Sequence, residues 1–67
     1  MIIHVYANLC WLATLEVRWS IQGDEVSQTT HLVAGHLEPA TQNQIAAYAM
    51  HGSLVGECGN LTWRCES

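Results

Sequence analysis

The residue types here with the greatest capacity for chemistry are cysteine and histidine, three of one and four of the other in 67 residues. His51, Cys58 and Cys65 recur every seven residues, with His31, His36 and Cys10 as further potential ligands. A structural zinc site takes four such groups converging tetrahedrally, and a bound ion would stabilise so short a chain. None of these spacings, however, is the tight Cys-x2-Cys or His-x3-His knuckle that marks such sites. The first expectation is therefore that the cysteines are small apolar groups in the interior and that no metal or other cofactor is bound. A zinc-stabilised module drawing on Cys58, Cys65, His51, His31 and His36 is the alternative. An odd number of thiols also argues against a disulfide framework, which points to a reducing, cytoplasmic setting.

Nucleophilic catalysis finds less support. Cys10 has no local signature of a catalytic thiol around it. The single aspartate, Asp24, falls in a turn, where its side chain has a structural use. There is no lysine for a Schiff base and no glycine-rich phosphate loop. A chain this short also has little volume for an enclosed pocket. No catalytic residue is assigned, and the protein is expected not to be an enzyme.

Charge excludes two partner classes. The two cations, Arg18 and Arg64, face six acids, for a net charge of −4. A nucleic-acid binder needs a basic stripe to displace counterions from phosphates, and anionic membranes ask for the same. The near-uncharged stretch Met1–Leu15 lacks the basic start and cleavage site of a signal peptide. It also falls short of the roughly 20 apolar residues needed to span a bilayer. Asn60-Leu61-Thr62 matches a glycosylation sequon that a cytoplasmic protein leaves unused.

Periodicity then gives the elements that must position these groups, all within one domain, residues 1–67. Ile3, Val5 and Ala7 alternate with His4 and Tyr6, which predicts a strand near 2–7. Residues 8–13 are ambiguous between a turn, an extension of the next strand and a short helical turn capped by Asn8, and a turn feeding a long strand is preferred. Leu15, Val17, Trp19 and Ile21 alternate with polar neighbours and form a predicted core face. Gly23-Asp24 supplies a two-residue hairpin turn, setting Ile21 opposite Val26, Leu15 opposite Leu32, and Glu16 beside His31 as a predicted ion pair. Gly35 closes this hairpin. Pro39 suits a first helical position, Thr41–Gln44 reads as a capping box with Ala40 and Ile45 as its staple, and Gly52 suits the helix end. Thr41, Ile45, Tyr48 and Ala49 form the expected sheet-facing side. A second hairpin about Gly59-Asn60 sets Trp63 across from Gly56, with the ring over the bare backbone. In that register Cys58 and Cys65 share a face too far apart for one metal or a disulfide. The predicted fold is α+β: a small antiparallel sheet of about five strands and two hairpins with one helix across it, in the order β-ββ-α-ββ.

About half the residues, 49%, are hydrophobic and three are tryptophan, too many for so small a core to hide. Exposed apolar area of this kind marks association surfaces. Trp, Tyr and Arg dominate binding hot spots, so Tyr6, Trp11, Arg18, Trp63 and Arg64 are the interface candidates. The function expected is non-enzymatic binding of another protein, an inhibitor that occludes its partner's surface, with a homodimer as the expected state. In size and composition alone the chain resembles the small inhibitors of bacteriophages and mobile elements, such as anti-CRISPR proteins. An accessory subunit of a larger assembly is a further alternative.

Overall fold

A computed structural model describes residues 1–66. The chain runs β1 (Ile2–Ala7), β2 (Cys10–Gln22), β3 (Glu25–Gly35), α1 (Pro39–Met50), β4 (Val55–Cys58) and β5 (Leu61–Glu66). The strands form one antiparallel sheet in the order β3-β2-β1-β5-β4, crossed on one side by α1. This is the α+β architecture expected from the alternation of strand and helix periods. The pairing of β1 with β5, which puts the first strand at the centre, is new information from the structure.

Between β1 and β2 the chain turns at Asn8 and Leu9, both with positive φ (51° and 67°). A two-residue turn with both central residues in that region is the type I′ geometry that suits the twist of paired strands. The ambiguous segment is therefore a tight turn followed at once by β2. The second strand is long, 13 residues; it bulges at Leu12 against β1, and β3 bulges at Val33 against it. Gly35 lies where these irregularities meet. Its φ is +86°, and a Cβ there would run into the carbonyl of Leu12, so any other residue would strain the backbone and displace its neighbour.

Both hairpins have the register expected from their turns. Ile21 pairs with Val26, Leu15 with Leu32 and Glu16 with His31, while Cys58 pairs with Leu61 and Gly56 with Trp63. The core lies between α1 and the sheet and consists of Ile3, Val5, Ala13, Leu15, Val17, Ile45, Ala46, Ala49 and Trp63. Each fully buried aliphatic side chain here contributes about 1.5–3 kcal/mol. Trp63 lies flat over Gly56, where a Cβ would come within 2.5 Å of the ring. Tyr48 stacks on the same indole, with centroids 6.3 Å apart.

Four expectations about the elements and their pairing need correction. Ile21 is 73% exposed, because the β2–β3 hairpin extends beyond the end of β1 and out from under the helix. The helix starts at Pro39, with Glu38 as an N-cap whose side chain makes no capping bond, so the Thr41–Gln44 box and its staple are not used. Proline forces the preceding residue to be extended, so Pro39 is the first helical residue, as its residue type suggested, and the start lies three residues earlier than a cap at Thr41 would put it. Gln42 instead donates from its side chain to the Leu37 carbonyl at 2.8 Å. The buried side of the helix is Ile45, Ala46 and Ala49; Tyr48 sits at its margin. The other end of α1 is as expected: Ser53 N–H donates to Tyr48 O at 3.2 Å and Gly52 N–H to Ala49 O at 3.0 Å, the paired bonds of a Schellman cap. The fourth correction concerns Glu16, described below.

Candidate interaction surface

Because side chains alternate along a strand, every residue that does not face α1 faces the other way, and no second layer covers that side among the described residues. Ile2, His4 and Tyr6 reach it from β1, and Trp11, Thr14, Glu16 and Arg18 from β2. His31 reaches it from β3, and Thr62, Arg64 and Glu66 from β5. The ladder sets Tyr6 beside Trp11 and Thr62, and His4 beside Thr14 and Arg64.

Four side chains form a relay across this open face. Glu66 Oε2 meets His4 Nε2 at 2.7 Å, and His4 Nδ1 meets Thr14 Oγ1 at 3.1 Å. The indole N–H of Trp11 donates to the same Thr14 oxygen at 2.9 Å. Trp11 is 51% exposed, with its indole N–H bound to Thr14 and its backbone paired with Tyr6 across the ladder. Next to it His4, Tyr6, Arg64, Cys65 and Glu66 line an open depression of about 310 Å³. An apolar cleft of about 430 Å³ lies elsewhere, lined by Leu12, Leu32, His36, Leu37 and Glu38.

Carboxylate, imidazole and hydroxyl in sequence are the residue types of a nucleophile relay. Here, however, the Thr14 oxygen already accepts a hydrogen bond from Trp11, which draws density away from the attacking atom. Backbone donors around it are committed to β1 and β3 on either side. The same relay holds the Trp11 indole N–H.

Of the five interface candidates, Tyr6, Trp11 and Arg64 lie on the open face, Trp11 beside Tyr6 and Arg64 beside His4. Arg18 lies on the same face, further along β2, where its Nε donates to Glu16 Oε1 at 3.0 Å. That contact is the fourth correction: Glu16 pairs in register with His31, but its ion pair is with Arg18. Trp63 is on the opposite face, 3% exposed beneath the helix, and its ring is not available to a partner. His4, Thr14 and Glu66 were missed as site residues. Their polarity on one strand face was visible, but their union depends on β5 lying beside β1, which no local pattern indicates.

The thiols are free, and the expectation of interior cysteines is corrected: Cys10, directly after the Asn8-Leu9 turn, is exposed, while Cys58 and Cys65 are half-buried. Burial pushes the Cys65 thiol above its ordinary pKa, and the N-terminal charge offsets this in part. No three His, Cys, Asp or Glu residues are grouped to hold a metal among the described residues. No helix of the structure is long and apolar enough to cross a membrane. Compared with family models, curated proteins and solved structures, the chain matches none.

Proposed function

We propose that the protein is a non-enzymatic binding module that docks the open face of its sheet on another protein and occludes that protein's surface. The observation that carries this reading is the exposed Trp11, hydrogen-bonded through Thr14 and His4 to Glu66, with Tyr6 its neighbour on β1 and Arg64 beside His4 on β5. An aromatic side chain already in one orientation loses little conformational entropy on binding, so more of its contact energy becomes affinity. The face is mixed in character: an aromatic centre, with Arg64, Glu66, Arg18 and Glu16 around it. Such a centre and rim is the usual anatomy of a protein interface. The net charge of −4 favours a partner surface with excess positive charge.

The test is quantitative interaction proteomics on wild type, Trp11→Ala, and a control substitution in the remote cleft, Leu37→Ala. Proteins enriched by wild type and by the control are expected to be lost with Trp11→Ala, by about 30-fold or more for a central anchor. The unfolding midpoint of Trp11→Ala should move by less than about 1 kcal/mol. Identical enrichment by all three chains would remove the open face as the binding surface.

A further inference from the structure

The sheet has two edges, and they differ. The β4 edge is four residues long with Glu57 within it, and shortness and charge are common protections against edge-to-edge pairing. The β3 edge is 11 residues long and contains neither lysine nor proline. Its one bulge, at Val33, lies towards its far end, so the ladder from Glu25 to Leu32 is regular. The same strand belongs to the overhang. β1 pairs with β2 only as far as Glu16, and from Arg18 to Thr29 the hairpin continues as a two-stranded ribbon. Such ribbons are marginal in water without further cover. This one presents Trp19, Ile21 and Val26 on its helix side, with Val26 itself 56% exposed.

We propose that the β3 edge pairs with the β3 edge of a second copy of this chain, joining two five-stranded sheets into one continuous antiparallel sheet. The bonding pattern and charge of the strand set its register. Gln22 and Glu25 close the turn as a hydrogen-bonded pair. Pairs alternate from there, so Glu25, Ser27, Thr29 and His31 bond inward to β2. The main-chain groups of Val26, Gln28 and Thr30 point outward. A two-fold axis through the new ladder must match outward residues with outward residues, and Gln28 facing Gln28 does so. Glu25 of each copy then stands opposite His31 of the other, Ser27 opposite Thr29, and Val26 opposite Thr30. Moving the axis to Ser27 sets His31 against the turn, and moving it to Thr29 sets Glu25 against the bulge. Only the Gln28-centred register matches carboxylate to imidazole twice with no like charges opposed. The occupant is a second copy because the edge is complementary to itself in both its main-chain hydrogen bonding and its carboxylate–imidazole pairing.

Roughly six main-chain hydrogen bonds form across such a junction. The area covered is below that of a standard interface, so dimerisation in the micromolar range is expected. The junction is at the rim of the sheet and leaves Trp11, Tyr6 and Arg64 free; it does not rest on the docking reading above, and either can fail alone.

Sedimentation velocity from about 1 to 500 µM, with amide exchange at both ends of that range, tests the junction. The expected result is a monomer–dimer equilibrium in which the amides of Val26, Gln28 and Thr30 gain protection with concentration. Gln28→Pro removes the central outward donor but no bond to β2, and edges accept proline in that position. It should weaken dimerisation by at least about tenfold. Because that chain also loses the Trp19–Gln28 side-chain bond, Glu25→Lys is the second variant, placing a cation opposite each His31. It should weaken the dimer while preserving the circular dichroism of the monomer. A chain monomeric throughout the range, or concentration-dependent protection confined to β4 or to the open face, would overturn the proposal.

Discussion

At Gly56 and Gly35 the fold depends on the absence of a single carbon. A methyl at Gly56 would come within 2.5 Å of the Trp63 ring, and the indole can shift only against Tyr48 and the helix. Gly56→Ala is expected to cost about 1–3 kcal/mol, the usual penalty for overpacking, read from the denaturant midpoint. Gly35→Ala should cost more, because the obstacle is the Leu12 carbonyl, which is backbone, and φ is +86°. Cys65 gives a pH-dependent expectation. Burial raises its pKa in the folded chain, so the unfolded chain releases the thiol proton first. Its contribution to stability is constant at neutral pH and is lost as pH rises through the ordinary thiol range near about 8.5 towards the higher folded value. Urea midpoints between about pH 7 and 10 should fall less steeply for Cys65→Ala than for wild type. Equal slopes would mean that the thiol is no less hydrated folded than unfolded.

Elements were the scale at which sequence was most informative, and the reasons are local. Turn chemistry at Gly23-Asp24 and Gly59-Asn60 determines register because one misaligned residue would reverse every side chain. The two hairpins therefore formed as expected, down to Trp63 over Gly56. Pro39 and Gly52 fixed the helix ends better than the polar run at Thr41–Gln44 did, since a ring that sets φ is a stronger constraint than a side chain that offers a bond. What sequence left open were the turn at Asn8-Leu9 and the sheet order, which depend on tertiary packing. Leu9 is 93% exposed and sits at φ 67°, a conformation that costs a side-chain-bearing residue about 1–2 kcal/mol. Leu9→Gly creates the Asn-Gly pair that type I′ turns favour. It should stabilise the chain by about 0.5–1 kcal/mol after the greater entropy of unfolded glycine is subtracted. A thermal midpoint unchanged or lowered would show that Leu9 makes contacts absent from this structure.

For the molecule as a whole, one helix covers one face of the sheet and the other is bare, and the candidate surface follows from that asymmetry. Sequence placed Tyr6, Trp11, Arg18 and Arg64 as candidates by residue type. Bringing Arg64 and Glu66 to His4 needed the long-range pairing of β1 with β5, and the full hydrogen-bonded relay to Trp11 could not be inferred without it. That pairing has a further consequence for how the chain is made. The central strand, Ile2–Ala7, is synthesised first, and its second neighbour, Leu61–Glu66, comes last. Contacts so distant in sequence form late because loop closure must come first. Until Trp63 has been added, the growing chain holds a three-stranded meander in which β1 is an outer strand, its edge open where β5 will pair, and the apolar floor is incomplete. The intervals in which that edge is bare, more than any property of the finished fold, determine how readily the growing chain pairs with the wrong strand.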